Sequence, residues 1–356
     1  MNILFVNWKD IRHPEAGGAE VYTHEICKRL IREGHDITLF TSRYRDSKKE
    51  EEIDGVRVVR DGGRFGVYLR AKKFYKSNKD FDIVVDEINT RPFMTVDFVE
   101  EPKLCLIHQL AREFWFYKTP FPISYIGSHL LEENWLRKYR NIKTVTVSDS
   151  TKQDLLELGF EDVETVYNGL DVEPLRDIPQ KEEDFTVMFV GRLTPTKKPL
   201  EALEAFKKAG VGKMWIVGRG EMENILRKHA TEDVKFFGFV SNEKKYELMR
   251  RAHILLVPGV REGWGRVVTE ANAMGTPAIG YNVPGLRDSI RDMKTGVLCE
   301  PNEEAMAEKI KMLVEDEELR EKLSINALNW SKNFSWDKSA KSFLHILREA
   351  ANQRDF

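Results

Sequence analysis

Short apolar runs recur along the chain and alternate with longer stretches whose apolar residues repeat at helical spacing. The runs are rich in β-branched residues, which is typical of buried parallel strands. They lie at 2–7, 36–41, 56–60, 82–86, 103–108 and 143–148, and again at 186–190, 214–218, 234–240 and 254–258. This alternation of strand and helix predicts an α/β protein with doubly wound parallel sheets.

A chain of 356 residues is long enough for two domains of ordinary size. The polar stretch 171–184 contains two prolines and has the composition of a linker. We therefore expect a first domain over 1–170 and a second over 171–335. The final stretch, about 336–356, predicts an amphipathic helix that buries Phe343 and Leu347.

The stretch 258–277, PGVREGWGRVVTEANAMGTP, predicts a glycine-rich turn followed by a helix. The start of a helix offers backbone N–H groups and the positive end of the dipole to an anion. Glu262 precedes this helix and Glu270 lies within it. Because carboxylates repel phosphate, we expect them to face hydroxyl groups on either side of it. A sugar, a diphosphate and a ribose in a row have that order.

Two cations follow the run at 186–190. Arg192 comes directly after Gly191, and Lys197 lies five positions further along, before a helix that begins near Pro199. Cations at the end of a strand suit a diphosphate leaving group, because they neutralise the charge that develops as its bond to the sugar breaks.

The first domain offers two further candidates. Gly17 and Gly18 lie between the first strand and its helix, where the missing Cβ atoms allow a close approach of backbone to ligand or simply a tight turn. His108 ends the run LCLIH and so lies at the carboxyl end of a parallel strand, where open α/β sheets bind their ligands. A purely structural histidine is the alternative.

Composition excludes several classes of function. A net charge of −2 gives no global case for binding nucleic acid. The three cysteines, Cys27, Cys105 and Cys299, are widely spaced, which favours buried thiols in a reducing compartment over disulfides. The chain has no apolar run long enough to span a bilayer and begins directly as a strand, so a cytoplasmic protein is expected.

Neither a dehydrogenase nor a metal enzyme fits the motifs. The GxGxxG fingerprint is missing after the first strand, and the second strand ends in Thr-Ser-Arg instead of an acid for a ribose. Asp80 and Asp82 form a D-x-D pair, but this pair most simply marks the entrance of a strand. We therefore expect no metal ion and no other cofactor.

Aromatic residues are dense at 111–127, where Pro120 and Pro122 interrupt a predicted loop. The segment is compatible with a core plug, an acceptor wall or a membrane-facing ledge. Basic residues alternate with aromatics at 64–79, which fits either a solvated face or a surface that lies against a membrane.

Taken in order, these motifs resemble those of the retaining glycosyltransferases of family 4, and the resemblance covers essentially the whole chain. Its elements are the GGAE loop, the strand-end histidine, the NGLD turn at 168–171, the GRL-x-x-x-K segment and the E-x7-E signature of EGWGRVVTE. Pro284 and Gly285 depart from it, because two glycines are more usual at that place, which leaves any ligand role there open.

The resemblance implies the GT-B fold, with two Rossmann-like domains facing across a cleft and the last helix crossing back to the first domain. It assigns the ribose diol to Glu270, hydroxyls of the transferred sugar to Glu262, and contact with the sugar or acceptor to His108. For the diphosphate, the resemblance implies Arg192, Lys197 and the backbone of Gly265, Arg266 and Val267. For the base, it implies the backbone around Phe239 and Val240. Gly17 and Gly18 are implied to face the donor and the acceptor.

The implied activity is transfer of a hexose from a UDP- or GDP-sugar to a hydroxyl acceptor, with retention of configuration and without a metal ion. The setting would be glycan, glycolipid or polysaccharide synthesis. A lipid-linked acceptor, peripheral membrane contact and a place at the inner face of the cell membrane stay open. A sugar-nucleotide epimerase of the same fold and a non-catalytic glycan- or nucleotide-binding protein are the alternatives.

Overall fold

The computed structural model describes residues 1–352, with Lys118 described by its backbone alone. Two compact units make up the chain: Met1–Gly169 together with the residues from Ser335 onward, and Leu170–Phe334. The division falls one residue before the boundary expected between 170 and 171.

The first unit contains an eight-stranded sheet in the order β3-β4-β2-β1-β5-β6-β7-β8. All pairs are parallel except β3 with β4, which is antiparallel. The strands are β1 Asn2–Val6, β2 Asp36–Thr41, β3 Glu50–Ile53, β4 Val56–Arg60, β5 Ile83–Glu87, β6 Lys103–Ile107, β7 Thr144–Thr146 and β8 Val163–Thr165.

Helices connect the parallel strands of this unit. They are α1 Gly18–Arg32, α2 Val67–Ser77, α3 Phe114–Lys118, α4 Ile123–Ile126, α5 Glu132–Arg137 and α6 Asp149–Glu157, with a 3-10 turn at Thr95–Asp97 and a π-helical turn at Gly127–Leu131. Side-chain caps fix some of the starts. Ser148, for example, accepts a hydrogen bond from the backbone N–H of Thr151 at the start of α6.

The second unit contains a six-stranded parallel sheet in the order β11-β10-β9-β12-β13-β14. Its strands are β9 Thr186–Val190, β10 Lys213–Val217, β11 Val234–Gly238, β12 Ile254–Val257, β13 Ala278–Tyr281 and β14 Gly296–Cys299. Its helices are α7 Pro199–Ala209, α8 Glu223–His229, α9 Asn242–Arg251, α10 Arg266–Ala273, α11 Leu286–Ser289, α12 Glu303–Glu315 and α13 Glu317–Ser331, with a 3-10 turn at Pro195–Lys197.

Both faces of the second sheet are buried, as the alternation along β9 illustrates. Val187 and Phe189 join a cluster that includes residues of α7 and α12, whereas Met188 between them joins a cluster that includes residues of α9 and α10. A period of two along the strand thus supplies two apolar layers, one for each set of helices.

The last helix, α14 Trp336–Asn352, belongs to the first unit. The ring of Phe343 stacks on Phe5 of β1 with centroids 6.1 Å apart, and both side chains are fully buried. On the opposite face of the sheet, Leu4 and Val6 pack in a cluster with residues of α2. The amphipathic helix expected at 336–356 is therefore present as far as the structure describes it.

The structure differs from the expectations in four local features. Strands β3 and β14 were not expected, and the strand expected over 234–240 ends at Gly238, whose φ is +66°. The segment 111–127 was expected to be a loop, but its prolines separate short helices instead. In the described part of the chain, no helix combines the length and the apolar character needed to cross a bilayer.

Candidate active site

Three loops meet at the carboxyl edge of the second sheet. The N–H of Val260, after β12, donates to the carbonyl of Thr196, after β9, at 3.1 Å. The N–H of Glu262 donates to the carbonyl of Pro284, after β13, at 3.2 Å. Backbone hydrogen bonds thus hold the turn that carries Glu262 between its two neighbouring loops.

Gly285 explains why the third loop can come so close. Its φ is +81°, and an added Cβ would lie 2.0 Å from the carbonyl oxygen of Glu262. Only glycine fits this contact. Gly285 is the one that remains of the two glycines usual at this place, and it supports the Glu262 turn.

Lys197 and Glu262 form an ion pair on this edge. Lys197 Nζ lies 2.5 Å from Glu262 Oε1, with the side chains 33% and 13% exposed. The sequence predicted both residues as ligands, and the structure brings them into direct contact. A cation that partly neutralises the carboxylate lets both groups lie beside one anionic ligand.

The start of α10 lies next to Glu262 along the chain. Gly265 caps the helix with φ +81° and ψ 54°, a conformation in which a side chain would be strained, and Arg266 and Val267 occupy its first turn. The N–H of Val268 returns to the carbonyl of Gly265 at 2.8 Å. The first N–H groups of an α-helix lack partners within the helix and mark its positive end, as an anion site requires.

Glu270 faces two cations. Its side chain is 7% exposed, with Oε2 at 2.8 Å from Lys245 Nζ and Oε1 at 3.5 Å from Arg266 Nη2. Arg266 also pairs with Asp171. The sequence did not indicate Lys245, and it singled out Asp171 only as part of the NGLD turn, because these partners come from α9 and from the segment after β8, far from Glu270 along the chain.

Tyr246 lies beside this group. Burial, followed by the carboxylates of Glu270 and Asp171, raises the pKa of its hydroxyl above the ordinary value. The hydroxyl oxygen is buried and makes no hydrogen bond to any of residues 1–352. A polar group of this kind is available to a ligand that approaches Glu270.

The remaining predicted residues of this unit lie at the ends of β9 and β11. Arg192 is exposed, and its side chain has no ion pair with any other described residue. The ring of Phe239 is 80% exposed, whereas Val240 packs against the core. Gly218 brings the loops after β9 and β10 together, since an added Cβ would lie 1.9 Å from the carbonyl oxygen of Gly191.

In the first unit, Gly17 and Gly18 begin α1. The N–H of Gly17 donates to Glu20 Oε2 at 2.6 Å, and Lys9 Nζ lies 3.2 Å from Glu20 Oε1. The N–H of Gly17 is therefore engaged within the protein. Gly18, the first helical residue, stands at the positive end of α1.

A fully buried ion pair holds the same loop. Arg60 Nε and Nη2 lie 2.7 and 2.9 Å from the two carboxylate oxygens of Asp10, and both side chains are 0% exposed. Two parallel hydrogen bonds fix the orientation of both planar groups. The loop between β1 and α1 is thus anchored to the end of β4, a contact that no motif predicted.

His108 lies at the end of β6, as predicted, and is 6% exposed. Its Nε2 is 3.2 Å from Glu87 Oε1, while Glu87 Oε2 accepts a hydrogen bond from Thr23 at 2.6 Å. Burial, and then the charge of Glu87, raises the pKa of Tyr22, whose ring packs edge-on against the imidazole at 5.2 Å. Glu87 ends β5, so its place at a strand end was the available signal.

Asp82 is structural, because its carboxylate accepts the N–H of Asn2 at 2.7 Å. Among residues 1–352, no group of three or more His, Cys, Asp or Glu side chains is placed to hold a metal ion. All three cysteines are buried and unpaired, as the sequence suggested.

Two family models match the chain in succession: Glycosyltransferase Family 4 over residues 16–174, and Glycosyl transferases group 1 over residues 171–330. A glycosyltransferase of Methanocaldococcus jannaschii is 30% identical over 367 residues, which cover 99% of this chain and 100% of that protein. The chain belongs to the family 4 glycosyltransferases.

Solved structures agree with this membership. Sucrose-phosphate synthase from Thermosynechococcus elongatus superposes with a TM-score of 0.81 over 98% of each chain, at 18% identity. Anabaena HepE in complex with UDP-glucose gives 0.74 over 98% of this chain and 100% of that one, at 16% identity. This glycosyltransferase therefore has the GT-B fold, which confirms the prediction from its motifs.

Proposed function

We propose that this glycosyltransferase moves a hexose from a UDP- or GDP-sugar to a hydroxyl group of an acceptor, with retention of configuration and without a metal ion or other cofactor. One observation carries the proposal. A carboxylate paired with a cation stands on each side of the start of α10, Glu262 with Lys197 and Glu270 with Lys245.

The donor is proposed to lie along this series of groups. Glu262 accepts hydrogen bonds from hydroxyls of the hexose, and Glu270 accepts them from the ribose diol. The helix start at Gly265, Arg266 and Val267 holds the diphosphate between them. The backbone of Phe239 and Val240 lies beside the base. A UDP-sugar agrees with the ligand of the HepE structure.

In the proposed reaction, the bond from the anomeric carbon to the leaving phosphate breaks as the acceptor oxygen forms its bond on the same face. The acceptor proton passes to an oxygen of the leaving phosphate, so neither a covalent intermediate nor a separate base is required. Arg192 and Lys197 stabilise the charge that grows on the diphosphate. They supply the positive charge that a metal ion supplies in other transferases.

The acceptor side is proposed to lie in the first unit. His108, held by Glu87, contacts the sugar or the acceptor hydroxyl, and Gly18 contributes the positive end of α1. A lipid-linked acceptor and peripheral contact with a membrane form part of the proposal, because the first unit exposes both aromatic and basic side chains.

Replacing Arg192 or Lys197 by Ala tests the assignment. Each change should lower kcat by about 100- to 1000-fold, since loss of one preorganised charge or donor at a developing anion has that effect. The measurement is release of UDP or GDP from each candidate donor, with a panel of sugar and glycolipid acceptors. Lys207→Ala, on α7 and paired with Glu204, is the matched control and should leave kcat unchanged.

Three outcomes would contradict the proposal. Activity near wild type in R192A or K197A would remove the catalytic role of the cations. Activity that EDTA abolishes and Mg²⁺ restores would remove metal independence, and an inverted anomeric coupling in the NMR spectrum of the product would remove retention. Conversion of the donor in the absence of acceptor would indicate an epimerase instead.

A further inference from the structure

The stretch 64–79, here called the basic helix, concentrates positive charge on one surface of the first unit. It contains α2 and carries six Lys and Arg residues but no carboxylate. All six side chains are exposed. Among residues 1–352, only two of the six pair with an acid, Arg70 at 4.0 Å from Asp61 and Lys79 at 3.3 Å from Glu100.

Two large apolar side chains project from the same stretch. Phe65 is 79% exposed in the turn just before α2, and Leu69 is 78% exposed in the first turn of that helix. Large apolar side chains held in water among cations are unfavourable unless a partner covers them.

The segment 114–130, here called the aromatic ledge, adds further exposed apolar surface. Phe116 is 53% exposed, Phe121 82%, Ile123 53% and Tyr125 52%. Most of the exposed large apolar side chains among residues 1–352 lie in the basic helix and this ledge. The ledge is therefore a concentrated feature of the surface.

Contacts with Glu132 and Gly127 hold the ledge in place. The buried carboxylate of Glu132 accepts hydrogen bonds from the N–H groups of Ala111 at 2.5 Å and Arg112 at 2.9 Å, and from the indole N–H of Trp115 at 3.2 Å. The same indole packs so closely on Gly127 that an added Cβ would lie 2.2 Å from it. The apolar side chains are thus presented by a fixed scaffold.

Arg91 links the basic helix to α5, the helix that follows the ledge along the chain. Its guanidinium carbon lies 4.5 Å from the ring centroid of Tyr68 on α2 and 5.9 Å from that of Trp135 on α5. The basic helix follows β4 and the ledge follows β6, so both continue from the edge of the sheet at which His108 lies. The two segments, together with Arg91, form one surface, here called the docking surface.

We infer that the docking surface binds a membrane that contains anionic lipids, with Phe65, Leu69 and the aromatic ledge inserted at the boundary between headgroups and acyl chains. Charge complementarity selects anionic headgroups for the basic helix. The exposed apolar side chains select a lipid surface over a soluble polyanion, because only the lipid removes them from water. The inference rests on the proposed function in one respect: binding to the membrane brings a membrane-bound acceptor to the edge of the first sheet that carries His108.

The test is flotation of the whole protein with vesicles, without donor or acceptor. Vesicles of phosphatidylcholine with 30 mol% phosphatidylglycerol, about the content that gives an anionic surface potential, are compared with pure phosphatidylcholine at low and high salt. We expect binding to the anionic vesicles only, weakened by salt. The double variants F65S/L69S and K72Q/K73Q should each lower the partition coefficient about tenfold or more.

Matched controls lie in the second unit. I225S/I325S removes two apolar side chains of intermediate to high exposure, and K228Q/K311Q removes two exposed cations. Both should bind vesicles as the wild type does, and thermal unfolding should show all four variants folded. Binding of UDP or GDP, followed by thermal shift without vesicles, tests the proposed function separately and should be unchanged in F65S/L69S.

Four results would overturn the inference. They are absence of flotation with anionic vesicles, equal flotation with both lipid mixtures, equal loss in the control variants, and a concentration-dependent dimer that F65S/L69S dissolves. The last would make a second copy of this chain the occupant of the surface. Salt-sensitive retention on a soluble polyanion such as heparin, unaffected by F65S/L69S and without vesicle binding, would assign the basic helix to a polyanionic partner.

Discussion

Glu270 illustrates how single residues of the site balance their charges. A carboxylate that is 7% exposed needs compensation, and it receives this from Lys245 and from Arg266. Arg266 divides its charge between Glu270 and Asp171, whereas the carboxylate that Lys245 pairs with is Glu270. We therefore expect Lys245 to fix the orientation of the Glu270 carboxylate, which is proposed to accept hydrogen bonds from the ribose diol.

Replacing Lys245 by Met should raise the KM for the sugar nucleotide about tenfold, equivalent to ~1.4 kcal/mol. The kcat should change far less, because the ribose lies away from the bond that breaks and its contacts stabilise ground state and transition state alike. Steady-state kinetics against donor concentration measure both constants. The control is K244M, because Lys244 pairs with Glu247 on the surface of α9. A fall in kcat with unchanged KM would contradict this role.

At the scale of elements, the three loops after β9, β12 and β13 act as one assembly. The loop after β12 carries Glu262, and backbone contacts tie the loops after β9 and β13 to it. Such contacts are insensitive to most side-chain changes but do not tolerate an added Cβ. The position of the Glu262 carboxylate therefore depends on a glycine outside its own loop.

Gly285→Ala should displace the Glu262 turn, because the new Cβ would lie 2.0 Å from the carbonyl oxygen of Glu262. We expect kcat to fall about 100-fold, as a misplacement of about 1 Å typically causes. The melting temperature should fall as well.

Gly34→Ala separates backbone strain from this clash. Its φ of +83° is similar, but nothing lies within 4 Å of its ideal Cβ. It should lose only the 1–2 kcal/mol or so of left-handed strain and keep its kcat. Equal losses of activity in the two variants would show that strain alone, and not the contact with Glu262, governs the effect.

The elements that the sequence predicted are those with an apolar repeat. Val187, Met188 and Phe189 contribute to two cores and therefore form an uninterrupted apolar run, which is visible in a single sequence. Strand β3 was missed because its residues EEEI carry three carboxylates, and it forms by antiparallel pairing with β4, where Glu50 meets Arg57. Its stability comes from a partner strand that local pattern does not reveal.

The residues of the site likewise divide into those that the sequence predicted and those that it did not. Glu262, Glu270, Arg192 and Lys197 stand in short motifs whose spacing carries the chemistry. The residues that contact the predicted site residues do not stand in such motifs. Lys245 reaches Glu270 from another helix, and Glu87 reaches His108 from another strand. Contacts of this kind arise from the order of strands in the sheet, which the sequence does not state.

At the scale of the whole molecule, the first unit is assembled from both ends of the chain. Its β1 packs against α14, where Phe343 and Leu347 are 0% exposed. Without α14, one face of the first sheet would lose its cover, whereas the second unit has its own two apolar layers.

Deletion of residues 335–356 should therefore destabilise the first unit alone. Hydrogen exchange should become fast in β1 and β2 and remain slow in β9 and β12, because amides in an uncovered sheet open more readily. A donor that raises the melting temperature of the whole protein should still do so for the second unit. Loss of protection in both sheets would contradict the independence of the two cores.

Gly169, the last residue before the second unit, lies directly against Trp336, the second residue after it, since a Cβ on Gly169 would lie 2.3 Å from the nitrogen of Trp336. The points at which the backbone leaves and rejoins the first unit are thus neighbours. A short peptide could join these two points, so the second unit, Leu170–Phe334, could be removed or replaced as one segment. Under the proposed function, exchanging it for that of a relative should change the donor preference and leave the first unit as it is.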